Sequence, residues 1–272
     1  MQQKELGRIT IRIGKGTLSF SVLEKTEEED GTSSSAIKYE PYVVKSGVSI
    51  AANLREAFKT SDLLALDAKR VRVLIDTPVL MVPVELFEES TMVESYVQAY
   101  PDSAQDAVLY NVLPDLNAVA VFSINKDLKL VLNDHYQDVQ IVAALSPVWR
   151  YLHSRSFTGV RSKLYGYFHE HCVDIISFRQ NRFKFCNQIA VHHPQDALYF
   201  LLYVWKQLAL NNEHDELHLV GDLPDEEWLI QELKKYVKKV LVIRPEVDFE
   251  ESPVLKVKGM PYDLMTLYAK GR

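Results

Sequence analysis

The feature that most constrains the fold of this chain is an order of elements that occurs twice. Between Leu164 and Asp222, the residue pattern predicts strand, turn, strand, tight turn, strand, helix and strand. The predicted segments are 164–168, 172–178, 183–190, 195–210 and 216–221. The same order is predicted near the N-terminus, with strands at 9–13, 18–22, 37–44 and 71–75 and a helix from Ser49. Two such units predict a fold with two related halves.

Numerical offsets between the two units support the repeat. Adding 146 to a position takes Ile37 to Phe183, Ser49 to Gln195 and Asp76 to Asp222. These pairs mark the start of the third strand, the start of the helix and the end of the fourth strand. The first two strands need a larger offset, because the acidic segment 27–35 is longer than the turn at 180–181. We expect 27–35 to be a mobile hairpin loop, since it has no apolar anchor.

Three meandering strands, a helix and a fourth strand form an α/β layer with a mixed sheet. The sequence therefore predicts two mixed-sheet halves that face each other across a cleft, where ligands of α/β proteins often bind. We assign 1–136 to the first half, with an insert near 83–123, and 137–272 to the second. The helix 195–210 is apolar on nearly every side, which predicts that it is buried between layers.

Three local patterns predict further details. The segment 82–87 is expected to lead directly into a helix that ends near Tyr96. Ser146 and Pro147 are expected to open another helix, with Ser146 as its cap. A turn at 180–181 places Cys172 opposite Ile189 and Cys186 opposite Ile175, so a disulfide is not expected.

Composition restricts the class of protein. The chain has 272 residues, 47% of them apolar and 25% charged, so its core needs no metal or disulfide. The net charge of −6 argues against binding to nucleic acid. The longest apolar run, 197–205, is much shorter than the ~20 residues of a membrane span. The N-terminus lacks an apolar signal region, and we expect a cytoplasmic protein.

This order of elements resembles the actin-like ATPase superfamily, whose halves are ribonuclease-H-like. The turns after Ile13 and Phe168 match the positions of the two phosphate loops, and 219–222 with the following helix matches the adenosine motif. The chain is most similar to the PilM and FtsA branch, and specifically to an uncharacterised Bacteroidetes family with this fold. The resemblance implies four candidate cofactor-binding residues, Gly14, Lys15, Gly16 and Gly221.

The phosphate loops depart from the family pattern. Arg12 stands where the family has an aspartate, and a guanidinium cannot hold hydrated magnesium. The second loop, 168–172, contains no glycine that would let backbone N–H groups approach a phosphate. Asp222 replaces the second glycine of the adenosine loop. We therefore expect little or no ATP hydrolysis, no required cofactor, and weak binding of ATP with Mg²⁺ at most.

Other candidate chemistry lies in the same turns. His169 and His171, if they lie on one strand face, could hold zinc, although the sequence completes no metal site. Glu170 and Asp222 could form a carboxylate pair for acid–base catalysis. Arg12 and Lys15 could bind an anion, or Arg12 could face solvent opposite the isoleucine face.

The sequence thus predicts a non-catalytic module that binds a partner protein or a second copy of itself, or binds a nucleotide weakly. The cleft or the insert would provide the surface. The alternative is a diverged metal-assisted hydrolase or phosphotransferase that uses the cleft. Sensing of a small molecule between the halves is a third possibility.

Overall fold

The structure is a computed structural model that describes residues 4–27, 33–66, 70–157, 161–179, 182–250 and 252–269. The earlier strands of the chain are β1 (Lys4–Leu6), β2 (Ile9–Ile13), β3 (Leu18–Glu27), β4 (Ser33–Tyr42), β5 (Arg70–Ile75), β6 (Val79–Pro83), β7 (Ala107–Leu113), β8 (Ala118–Ile124) and β9 (Asp138–Ala143). The later strands are β10 (Lys163–His169), β11 (Cys172–Arg179), β12 (Arg182–Ala190), β13 (Glu216–Gly221) and β14 (Val240–Val242). The helices are α1 (Ile50–Thr60), α2 (Met92–Ala99), α3 (Lys126–His135), α4 (Ser146–Ser156), α5 (Pro194–Gln207), α6 (Glu226–Lys234), α7 (Pro245–Asp248) and α8 (Tyr262–Tyr268).

Two mixed sheets have the same strand order. The first runs β4-β3-β2-β5-β9, and β1 also pairs with β3; the second runs β12-β11-β10-β13-β14. In both sheets the first three strands are antiparallel, and the last two are added in parallel. The predicted α/β architecture with two mixed sheets is confirmed.

Helices cover both faces of these sheets. Helix α1 packs against α3, α5 packs against α6, and α4 packs against α8. The cluster that contains α5 and α6 takes one face of β10, through Leu164 and Phe168. Tyr165 and Tyr167, which alternate with them, join the core that includes α4, α8 and the first sheet. Helices α4 and α8 therefore lie between the two sheets.

The insert is a small sheet with its own helix. Its strand order is β6-β8-β7, and α2 packs on β7 and β8 through the buried Tyr96. The other face of β8 presents Ala120 and Phe122 to the core of the first sheet. Strand β6 also contacts β12, so the insert reaches the second sheet.

Some sequence predictions about local structure are wrong. The helix expected after 82–87 begins only at Met92, and residues Val79–Pro83 form the unpredicted strand β6, which pairs with β8. Ser146 does not cap α4: it lies inside the helix, and its buried hydroxyl has no hydrogen-bond partner within the described residues. Helix α5 is not buried on all sides, because Tyr199 is 62% exposed and Tyr203 is 50% exposed.

The cysteine register differs by one position. Cys172 pairs with Ala190 and Cys186 with Ile176, because the register shifts at Ser177 and Phe178. Both cysteines are free thiols, and they do not face each other.

The predicted loop 27–35 is shorter than expected, since β3 and β4 pair as far as Glu27 and Ser33. Its remaining residues, 28–32, lie outside the described residues. The division of the chain after 136 remains a prediction, although β9, which follows that point, pairs with β5 of the first sheet. In the part of the chain that the structure describes, no helix is both long and apolar enough to cross a bilayer.

Candidate functional site

The turns after β2 and β10 meet at the cleft, and Glu170 joins them. Its Oε1 accepts hydrogen bonds from Arg12 Nη1 at 2.8 Å and Thr17 Oγ1 at 2.7 Å. Its Oε2 accepts from the backbone N–H of Lys15 at 2.9 Å. We call this arrangement the Glu170 bridge. A carboxylate from the turn after β10 is thus bound by the guanidinium of Arg12 on β2 and by a hydroxyl and a backbone N–H from the turn that follows β2.

Local backbone features make this close approach possible. Glu170 and His171 have φ values of +42° and +59°, which form the tight turn between β10 and β11. At Gly14, an added Cβ would lie 2.2 Å from both Glu170 Oε1 and Thr17 Oγ1. Gly14 is therefore required by the Glu170 bridge itself, because any side chain there would displace the carboxylate.

Arg12 also binds helix α8. Its Nε donates to Asp263 at 3.0 Å (Oδ1) and 2.8 Å (Oδ2), and both side chains are 3% exposed. Burial acts to lower the pKa of Arg12, but Asp263 and Glu170 outweigh that effect and raise it. Arg12 is therefore a fixed cation that holds together β2, α8 and the turn after β10.

Lys15 makes a second connection between the same regions. Its Nζ lies 3.2 Å from Cys172 Sγ on β11 and 3.5 Å from Gln188 Oε1 on β12. Burial acts to lower the pKa of Lys15, but the contact with Cys172 and the charges of Asp76 and Asp174 raise it. Lys15 and Thr17, both in the turn between β2 and β3, thus contact residues of the second sheet or of its first turn.

A buried ionisable cluster lies beneath the Glu170 bridge. His169 Nε2 donates to Asp174 Oδ2 at 2.5 Å, and its Nδ1 lies 3.5 Å from Asp76 Oδ2. Burial acts to lower the pKa of His169, but the two aspartates raise it to about 10. We therefore treat His169 as an imidazolium held between two carboxylates, which leaves neither ring nitrogen available as a base at neutral pH.

A cavity of about 590 Å³ lies beside the Glu170 bridge. Gly221, the last residue of β13, and Asp222, in the turn that follows, line it together with Glu170 and His169. Gly221 has a φ of +93°, and a Cβ there would lie 2.0 Å from the carbonyl oxygen of Phe168. This glycine allows the turn after β13 to pass against β10, where Asp222 N donates to Phe168 O at 3.0 Å.

Half of the predicted site residues line this cavity, namely His169, Glu170, Gly221 and Asp222. Glu170 and Asp222 line the same cavity, although both carboxylate oxygens of Glu170 already accept hydrogen bonds. Their acid–base pairing therefore stays a prediction. The assumed shared face of His169 and His171 is wrong, because β10 ends at His169 and the exposed His171 lies in the turn. The described residues contain no cluster of three or more ligands suited to a metal ion.

The remaining predicted residues follow the same pattern. The solvent-facing position considered for Arg12 is wrong, and the anion-binding alternative applies to an internal anion, the Glu170 carboxylate. Gly14 and Lys15 contact the Glu170 bridge, whereas an added Cβ at Gly16 would meet no atom within 4 Å. Whether these residues bind a nucleotide stays a prediction.

Sequence reasoning missed Asp76, Asp174 and Asp263 as parts of the site. One signal could have indicated Asp174: a strand paired on both sides in an α/β sheet is covered on both faces. Polar residues that alternate with apolar ones on such a strand must then find buried partners. Arg12 on β2 and Asp174 on β11 are residues of this kind.

Comparisons with known proteins agree with this fold. A protein from Bacteroides thetaiotaomicron VPI-5482, solved as a crystal structure and described as having an actin-like ATPase fold and unknown function, is 31% identical. The alignment covers 92% of this chain and 96% of that one, with a TM-score of 0.78. A chain in a PilM-PilN type IV pilus biogenesis complex is 11% identical and has a TM-score of 0.51, over 96% of this chain and 94% of that one. At that identity the likeness shows the fold alone.

A search of curated proteins finds no match. The profile of a family described as "Protein of unknown function (DUF3822)" matches residues 1–240. The predicted resemblance to an uncharacterised family with an actin-like fold is confirmed. The chain belongs to the DUF3822 family and has the actin-like ATPase fold.

Proposed function

We propose that this protein is a non-catalytic module of the actin-like fold that works by binding a partner protein. The observation that carries the proposal is the Glu170 bridge. Its carboxylate already accepts hydrogen bonds from the Arg12 guanidinium and the Lys15 backbone N–H. A phosphate group bound at the turn after β2 would need these same donors. A nucleotide would have to displace this internal anion before its phosphates could bind.

Arg12 adds a second obstacle to catalysis. It is buried beside the first loop and paired with two carboxylates, so its positive charge is permanent and fixed in place. A magnesium ion brought to the same loop would find both carboxylates already engaged by Arg12. With no metal ion held and with Glu170 occupying the first loop, the site would neither position a γ-phosphate for in-line attack nor stabilise its charge.

The contacts between the sheets favour a fixed scaffold over a hinged enzyme. The Glu170 bridge, the Lys15 contacts and the contact between β6 and β12 all connect the first sheet or its insert to the second sheet. Nucleotide-driven opening and closing would have to break these contacts. Such a scaffold suits recognition of a partner, and the PilM-PilN complex provides one case of this fold bound to a second protein.

The alternative, a metal-assisted hydrolase in the cleft, has less support. His169 is held between Asp174 and Asp76, and its raised pKa opposes metal binding, which needs a neutral imidazole.

The proposal is tested by a phosphate-release assay with purified protein and Mg-ATP. We expect no release above that of a Lys15→Ala control, since the wild-type loops do not position a γ-phosphate. Turnover by the wild type that the Lys15→Ala change abolishes would overturn the proposal, because contaminating ATPases would act equally in both samples.

A further inference from the structure

A second cavity, of about 750 Å³, lies away from the cleft on the first sheet. It opens to solvent and is lined by β5 and β9, helix α4, the insert strand β7 and the end of α8. Part of its wall is apolar, with Leu74, Val142 and Leu267, and part is polar. A cavity of this size and mixed lining can hold one or two side chains of a ligand.

Among the described residues, the charged side chains that line this cavity are both basic. Arg72 and Arg150 line it, and no aspartate or glutamate does so among the described residues, in a chain of net charge −6. Arg150 pairs with Asp115 at 3.6 Å, but the two side chains are 52% and 65% exposed. An exposed pair of this kind contributes little and can exchange partners.

Arg72 lacks a compensating charge. Its Nε donates to the neutral amide oxygen of Gln140 at 3.3 Å, and that oxygen also accepts from Arg8 at 2.6 Å. In the part of the chain that the structure describes, no carboxylate lies within ion-pair distance of Arg72. Burial lowers the pKa of Arg72, and the nearby charges of Arg8 and Arg150 lower it further. An anion bound here would relieve this repulsion.

Two more features indicate a built site. Ser146, which lines the cavity, is 4% exposed, and its hydroxyl has no hydrogen-bond partner among the described residues. Asn111 on β7 donates to Ile141 O at 3.1 Å and accepts from Ala143 N at 3.1 Å. These bonds fix the insert to the edge of β9, so the walls of the cavity are held in place and β9 cannot accept another strand there.

We infer that this cavity binds an acidic segment of a partner protein, with carboxylates on Arg72 and Arg150 and an apolar side chain against Leu74 and Val142. The inference rests on the proposed function, because it names the surface through which the module recognises its partner. Guanidinium groups bind carboxylates through paired, charge-assisted hydrogen bonds, which gives such a site its specificity.

The test uses a fluorescein-labelled octapeptide of alternating glutamate and leucine, with binding measured by fluorescence anisotropy. We expect saturable binding that weakens as salt is added. The double variant Arg72→Gln/Arg150→Gln should bind about tenfold more weakly or worse. The control Arg70→Gln/Arg161→Gln removes the same charge from side chains outside the cavity and should bind like the wild type.

The single variant Arg150→Gln guards against misfolding, because the Arg150 side chain is exposed and Arg72 is left unchanged. It should also bind the peptide more weakly than the wild type. The inference is overturned by no binding at millimolar peptide, by equal binding to wild type and cavity variants, or by equally tight binding of a lysine–leucine octapeptide. Phosphate release from Mg-ATP is measured separately, so failure at this cavity is distinguishable from failure of the non-catalytic proposal.

Discussion

Replacing Glu170 by alanine tests the energetic role of the Glu170 bridge. The change removes three hydrogen bonds, from Arg12 Nη1, Thr17 Oγ1 and Lys15 N, at 2.7–2.9 Å. A hydrogen bond to a charged group contributes about 1.5–3 kcal/mol, but such values do not add for groups that share one carboxylate. Glu170 is 18% exposed, and Arg12 keeps Asp263, so water and the remaining pair compensate in part. We expect a loss of about 2–4 kcal/mol in the free energy of unfolding.

This loss is measured by urea unfolding followed by circular dichroism, with thermal unfolding as a second readout. Glu170→Gln keeps the shape and loses the charge, so it should lose about half as much. Glu89→Ala, at an exposed turn of the insert, is the control and should change stability by less than about 0.5 kcal/mol. If Glu170→Ala unfolds at the same urea concentration as Glu89→Ala, the Glu170 bridge does not stabilise the fold and our reasoning is wrong.

Further predictions concern the groups around the bridge. Asp263→Ala should cost about 3–5 kcal/mol in urea unfolding, because it leaves buried Arg12 with Glu170 alone; a loss below about 1 kcal/mol contradicts a buried ion pair. With the pKa of His169 raised to about 10 from its ordinary value of 6.5, its stabilising effect is complete below pH 6.5 and is lost as the pH rises towards 10. Its ring should stay protonated up to pH 9 in an NMR titration, and a midpoint below pH 7.5 is incompatible with this account. Gly221→Ala should lower the free energy of unfolding by at least ~2 kcal/mol, because Gly221 has a positive φ and its Cβ would clash with the carbonyl oxygen of Phe168. Gly16→Ala should leave stability nearly unchanged, because an added Cβ there would meet no atom within 4 Å. Equal losses of stability for the two variants in thermal unfolding would refute this.

The repeated strand order could be predicted because its signals are local. Alternation of apolar residues and short turns predicted the strands from β10 to β13 to within one or two residues of their observed limits. Strand β6 was missed because it is short and is defined by pairing with β8, about forty positions later in the chain. The residues 79–83 contain no turn signal that separates a strand from an extended approach to a helix.

The candidate site was predicted only in part, because its contacts are far apart in sequence. Glu170 was recognised as a cleft residue, but its partner Arg12 lies 158 positions away. The alternation in β2 suggested one polar face, and a solvent-facing arginine is the ordinary expectation for such a pattern. In the fold, β5 and β3 flank β2 and α8 covers that face, so Arg12 is buried and paired. Tertiary pairing therefore gave a polar residue a role that periodicity alone could not assign.

We propose that the Glu170 carboxylate occupies the turn after β2 that matches the first phosphate loop, so that Mg-ATP does not bind there productively. Isothermal titration of Mg-ATP into the wild-type protein tests it most directly, with Glu170→Ala titrated under the same conditions. We predict no saturable heat for the wild type at micromolar protein. A micromolar dissociation constant for wild-type protein, unchanged in Glu170→Ala, would contradict the claim.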